Sequence, residues 1–167
     1  MSSRGAVGIP EETAEDAASL SGWLSRDHSR HLDLLAKATA AREAKSFEEA
    51  GALFEEFARG LLHHMEAEET VLFPAFRAVT GSDSGTTASL DEEHVRLRQA
   101  LEQWAEAIRA GDGASCAIAE AEFVTQLRKH VLREETFFYR MADDLLNDDH
   151  EAADLVRRMA SFQSGGP

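Results

Sequence analysis

The sequence is poor in the residues that would commit it to several common classes. It has one cysteine, Cys116, so no internal disulfide can form. Its three prolines stand at positions 10, 74 and 167, and only Pro74 falls where it can interrupt a helix of the main body. β-Branched residues are sparse beside Ala, Leu, Glu and Arg, a balance that favours helix over sheet. No apolar run approaches the roughly 20 residues a membrane span needs. The N-terminus lacks the basic start and apolar block of a secretion signal, which makes the cytoplasm the default compartment. Acidic residues outnumber basic ones 31 to 17, and a formal charge of −14 argues against a nucleic-acid partner. A solvated acidic surface accounts for that excess.

What is present reads as one folded domain. At 167 residues, 43% apolar and 29% charged, the chain is long enough for a real core and too apolar for disorder. Residues 1–18 are expected to be a flexible lead-in, and 19–163 the folded body. A first helix is expected from about Ser19 to Lys45, with Trp23, Leu24, His28, His31, Leu32, Leu35 and Ala38 on its buried face. Ser46-Phe47-Glu48-Glu49 has the form of a capping box opening a second helix. The inner side of that helix carries Phe47, Ala50, Phe54, Phe57, Leu61, His64, Glu68 and Val71 or Leu72, and Pro74 should kink it near its end.

After the loop Thr80–Thr87, Ser89-Leu90-Asp91-Glu92 repeats the capping form, followed by a stripe of Leu90, His94, Leu97, Leu101, Trp104 and Ile108. Gly111-Asp112-Gly113 ends this third helix. A fourth spans about Ala114–Leu146 through Ile118, Phe123, Leu127, His130, Glu134, Phe137, Phe138 and Met141. Asp148 caps a short fifth helix that docks through Leu155, Val156 and Met159. The expected fold class is all-α: an antiparallel, up-down-up-down four-helix bundle with a short C-terminal helix.

One stretch is written twice. His64-Met65-Glu66-Ala67-Glu68-Glu69-Thr70 returns 66 positions later (64 to 130) as His130-Val131-Leu132-Arg133-Glu134-Glu135-Thr136. The same offset carries Asp27-His28 to Glu93-His94. On a helix, residues i and i+4 share a face, so His64 with Glu68 and His130 with Glu134 can each converge on one ion. A lone His on an apolar face is usually a packed core residue, and a single HxxxE is common by chance. Two of each in register have no cheap structural account, because burying four imidazoles and two carboxylates without a metal is very costly. The donor set His28, His64, Glu68, His94, His130 and Glu134 suits iron, manganese or zinc better than calcium or magnesium.

The neighbours divide on the same test. His31 and His63 are not duplicated, since the offset places Leu97 and Lys129 there. His31 reads as a core residue with ligation as the alternative, and His63 as peripheral. Glu69 and Glu135 are repeated, and either orient a ligand imidazole from behind or face solvent. Tyr139 aligns with Phe73 and reads as core, with lining of the metal pocket as the alternative. Trp23 and Trp104 read as packing anchors, Cys116 as a small buried hydrophobe and His150 as solvated.

Across about residues 20–162 the chain resembles the hemerythrin-like, HHE cation-binding family. The resemblance rests on Asp27-His28, on His64 through Glu68 to Leu72-Phe73-Pro74, on Glu92-Glu93-His94, and on His130 through Glu134-Glu135. It implies a di-iron centre, oxo- or hydroxo-bridged, inside the bundle, with zinc or manganese as substitutes. His28 and His64 would bind one iron, His94 and His130 the other, and Glu68 and Glu134 would bridge. A ferritin-like site is disfavoured, because no Glu-x-x-His pair recurs at matching positions. Oxygen carriers of the family have a further His where this chain has Arg98, so more positions on the metals are left for water or a small ligand.

The resemblance implies a domain that binds O2 or a related molecule such as NO or peroxide, for oxygen binding, storage or sensing. The alternatives are a redox enzyme detoxifying peroxide or NO, and an iron-responsive interaction module whose folding depends on metal. A sensor role would call on a separate protein partner, as no output domain is recognised here.

Overall fold

The computed structural model describes residues 19–82 and 85–164, so the expectation for residues 1–18 lies outside the described residues. Five helices account for nearly all of it, and no strand occurs among the described residues. α1 is Leu20–Glu43. α2 is Phe47–Ala67, continued past a π-helical turn at Glu68–Leu72 by Phe73–Thr80. α3 is Thr86–Ala110. α4 is Gly113–Arg133, continued past a second π turn at Glu134–Phe138 by Tyr139–Leu145, and α5 is Asp149–Ser164. α1 packs along α2 and α3 along α4 as two hairpins, and α5 lies against α1 and α2.

Two apolar clusters bracket the middle of the bundle. One joins Leu20, Leu24, Phe73, Leu90, Phe138, Tyr139, Leu155 and Met159, among others. The other joins Leu35, Phe57, Leu61, Met65, Leu97, Trp104, Phe123 and Leu127. Between them lies a buried polar layer: Asp27, His28, His31, His64, Glu68, His94, His130 and Glu134 are all at most 6% exposed. Val156 packs at the edge of the first cluster as expected, and the backbone N–H groups of His150 and Glu151 donate to Asp148 at the start of α5.

Several local expectations fail, for identifiable reasons. Ser46 occupies the N-cap position of α2 and its carbonyl accepts from Ala50 N–H, but its side chain makes no cap bond. Ser89 is not a cap, because α3 begins at Thr86 behind Gly85 (φ 101°), leaving the Ser89 hydroxyl to accept from Arg133. Phe47 at the mouth of the second hairpin helix is 68% exposed, and Ile108, at the far end of α3, is 41% exposed. Ile118 is 62% exposed because it lies five residues before Phe123, about 140° around the helix from the buried stripe.

Pro74 does not kink α2 by itself. Phe73 N–H donates to the Glu68 carbonyl, five residues back, so the helix has already widened when it meets the residue without an N–H. The same turn recurs 66 residues on, where Tyr139 N–H donates to the Glu134 carbonyl and Arg140 replaces the proline. Each π turn inserts one residue, a lag of about 100°. It brings Phe73 and Tyr139 within about 40° of the Glu that opens their turn, where an unbroken α-helix would leave them about 140° away. The lag also explains why Phe137 (63%) and Met141 (36%), expected inside, are exposed while Phe138 is fully buried.

Candidate metal centre

The six duplicated side chains meet in the buried layer. Glu68 Oε2 stands 3.4 Å from His64 Nε2 on its own helix and 3.4 Å from His94 Nε2 on the other hairpin. Glu134 Oε2 stands 3.1 Å from His130 Nε2 and 3.3 Å from His28 Nε2, and its Oε1 lies 3.7 Å from His94 Nε2. Each carboxylate thus reaches imidazoles of both hairpins. All four imidazoles turn Nε2 inward.

Their outward nitrogens are each held by a carboxylate. Asp27 Oδ2 is 2.9 Å from His64 Nδ1 and Glu93 Oε2 is 3.0 Å from His130 Nδ1, both within a hairpin. Glu69 Oε1 is 2.8 Å from His94 Nδ1 and Glu135 Oε1 is 3.1 Å from His28 Nδ1, both between hairpins. Taking the Nδ1 proton fixes the ring so that Nε2 presents its lone pair to the centre. The sequence left Glu69 and Glu135 undecided, and they take the orienting role. It gave Asp27 and Glu93 none, although both precede the lone His at the repeat offset. Three of the four carboxylates carry a guanidinium: Arg30 on Asp27, Arg98 on Glu69 and Arg133 on Glu93. Arg98 binds Glu69 through two bonds of 2.7 and 2.9 Å, so the position of the missing fifth histidine supports His94 from behind.

Tyr139 is the residue the sequence placed least well. Its hydroxyl lies 2.8 Å from Glu68 Oε1, 3.2 Å from Glu134 Oε2, 3.2 Å from His28 Nε2 and 3.4 Å from His64 Nε2. It therefore lines the centre. Its ring stacks on His28 at 5.5 Å, and its repeat partner Phe73 stacks on His94 at 5.6 Å, so the halves differ by one hydroxyl.

Protonation follows from this crowding of carboxylates. Burial works against charge on His28, but the bonds to Glu134 and Glu135 prevail and lift it to about 10. His94 likewise, against its burial, is lifted to about 11 by Glu134, Glu68 and Glu69, and His130 rises on the charge of Glu134. Glu134 stays far below the usual carboxylate range despite burial, held by His130, His28 and His94. Burial, with the charges of Glu134 and Glu68, pushes the Tyr139 phenol well above its ordinary value. Absent a cation, protons on His28, His94 and His130 compensate the charge of Glu134.

The residues fit a cation. Glu68 Oε2 and Glu134 Oε1 are buried without hydrogen-bond partners, an expensive state unless a ligand takes them. Donor atoms of Glu68, His94, His130 and Glu134 lie within 4.8 Å of one another, as do those of His28, His64 and Glu134. The nitrogen-rich set suits a borderline transition metal.

The profile of the hemerythrin HHE cation-binding domain matches residues 19–142. The chain belongs to that family. No curated protein and no solved structure matched it. The hemerythrin HHE match takes in the whole buried layer and stops before α5. Among the described residues no helix of this hemerythrin-family chain is long and apolar enough to cross a membrane.

The other candidates fall outside the cluster. His63 is half-buried and His150 exposed. Cys116 is a half-buried free thiol near the far end of the bundle. Trp104 is a buried anchor, and Trp23 packs half-buried against the first cluster.

Proposed function

We propose that this chain is a non-heme di-iron domain that binds O2 or a related small molecule, NO or peroxide. Its metal ligands are His28, His64, Glu68, His94, His130 and Glu134. The observation that carries the reading is the placement of Glu68 and Glu134, each within 3.4 Å of an imidazole from either hairpin. A carboxylate so placed could donate to an ion held by either hairpin. His28 with His64 would hold one ion and His94 with His130 the other, and the pair would supply reversible redox chemistry toward a small ligand. Zinc and manganese suit the same donors.

The two sides are not equivalent. The Tyr139 hydroxyl fills the space beside His28 and His64, whereas a phenyl ring faces His94. On the His94 and His130 side no phenol competes, so a small ligand would bind there. Tyr139 keeps its proton, since burial between two carboxylates opposes ionisation, and donates it to Glu68 Oε1 with the two oxygens 2.8 Å apart.

Metal analysis with an optical spectrum, recorded reduced and re-exposed to O2, tests this. Two irons per chain and a reversible band change are expected. A protein that takes up no transition metal would rule it out. A second reading, reductive detoxification of peroxide or NO, draws support from the Tyr139 hydroxyl as a proton donor beside the cluster. Sustained turnover by the iron-loaded protein separates that enzyme from a binding protein.

A further inference from the structure

The internal repeat supplies its own control for one residue that the centre does not use. His31 is 2% exposed, yet neither ring nitrogen has a hydrogen-bond partner. In the second half the equivalent position is Leu97, buried in the core. A leucine would therefore pack here, and an imidazole with two unmet nitrogens is costly by comparison.

The chain also makes room for the ring. A Cβ at Gly60 would fall 2.6 Å from His31 Nε2, and the second half has Gln126 at that position. His31 Nδ1 faces Asp27 Oδ2 at 3.9 Å, and donor atoms of Asp27, His31 and His64 lie within 4.8 Å of one another. A surface pocket of about 180 Å³ reaches His31 and is lined also by Gly60, His63 and Glu56. Its counterpart in the other half, about 190 Å³, has Leu97, Gln126 and Lys129 instead. His31 and His63 are thus exchanged for Leu97 and Lys129, neither of which offers an imidazole. Arg30 and Arg59 also line the first pocket, but Arg30 is committed to Asp27 Oδ1 at 2.8 Å, which leaves Oδ2 for the cluster.

We propose that Asp27 Oδ2, His31 Nδ1 and His64 Nδ1 form a loading site that takes a divalent transition-metal ion from this pocket and passes it to the inner donors. The inference rests on the metal-centre reading and adds a route to it. One oxygen and two nitrogens, with water completing the shell, suit Fe(II), Co(II) or Zn(II). His64 turns Nδ1 toward Asp27 and Nε2 toward the centre. An ion on Nδ1 requires the single ring proton on Nε2. When the ion moves to the Nε2 side, that proton shifts back to Nδ1 and Asp27 accepts its hydrogen bond again. The second-half pocket reaches Glu93 and His130 but has Leu97 where His31 stands, so it lacks the third donor.

The test is anaerobic uptake of Co(II) and Fe(II) by the metal-free full chain, followed by stoichiometry and stopped-flow absorbance. The wild type should show a weak third Co(II) equivalent beyond the tight inner ions. His31→Leu, the residue the repeat itself uses, should lose that equivalent, load about 10-fold more slowly and reach the same final inner content. Unchanged stoichiometry and rate in His31→Leu would overturn the loading site, as would loss of the inner ions. Should His31→Leu fail to fold, the graft Leu97→His with Gln126→Gly decides: a gained weak equivalent supports the site, and no gain overturns it. A wild type that binds no metal at all would instead refute the metal centre.

Discussion

The phenol oxygen of Tyr139 sits 2.8 Å from Glu68 Oε1, on the opposite hairpin, at the mid-level of the bundle. It arrives there because the π turn at Glu134–Phe138 rotates the rest of α4 inward. Widened helical turns of this kind occur often at functional sites, and here both open on an inner carboxylate.

Removing that oxygen should make the two metal positions alike. Tyr139→Phe restores the residue that the first repeat carries at Phe73 and keeps the ring contact with His28. Azide titration of the iron-loaded protein, read optically, should show ligand access on the His28 side that the wild type lacks. Identical azide spectra in the two proteins would show that the hydroxyl controls nothing at the centre.

Inner and outer carboxylates should separate in metal affinity. Glu134→Gln removes a donor shared by both hairpins, and the purified protein should retain neither ion stably. Glu93→Gln only loosens the hold on His130 Nδ1 and should weaken binding by about 10–100-fold. Competition with a chelator of known affinity measures both, and equal losses would contradict the two-layer arrangement.

The metal-free form should lose stability toward alkaline pH. The native state raises His28 to about 10 and His94 to about 11. A raised imidazole pKa means the folded state binds protons more tightly, so its stabilisation is complete below the ordinary value of about 6.5 and vanishes as pH climbs through 10 to 11. Bound metal replaces those protons, so the loaded form should hold a nearly constant melting temperature from about pH 7 to 9 while the metal-free form declines. At an ion concentration about 1,000-fold above its dissociation constant the gain is about 4 kcal/mol. Parallel thermal melts of the two forms test this, and a metal-free form as stable as the loaded one would also remove the iron-responsive module from consideration.

Two glycines of α2 should respond in opposite directions. Gly60→Ala forces a methyl group against His31, whose ring is boxed in beside His64, and should cost about 1–3 kcal/mol. Gly51→Ala meets nothing within 4 Å and should stabilise the helix by about 0.4–1 kcal/mol. Urea unfolding of both variants checks the pair, and a neutral Gly60→Ala would mean that the His31 slot is not tight.

The centre was legible because its donors repeat. His64 with Glu68 and His130 with Glu134 are local pairs one helical turn apart, and the offset of 66 adds His28 and His94 without any knowledge of packing. The orienting carboxylates were half legible. Asp27 and Glu93 recur beside the lone histidines, but their partners lie 37 residues away on the neighbouring helix. Of the two expected caps, Ser46 stands at its N-cap position without the side-chain bond, and Ser89 misled because Gly85 starts α3 four residues earlier.

The amino-acid sequence alone determined the helical class and the paired donor set, because both follow from periodicity and spacing within single helices. Which ring nitrogen faces inward, the entry of Tyr139, the exposure of Phe137 and the isolation of His31 were decided by the folded bundle. They depend on two widened turns and on contacts between hairpins, and a helix read at a constant 100° per residue carries no record of either.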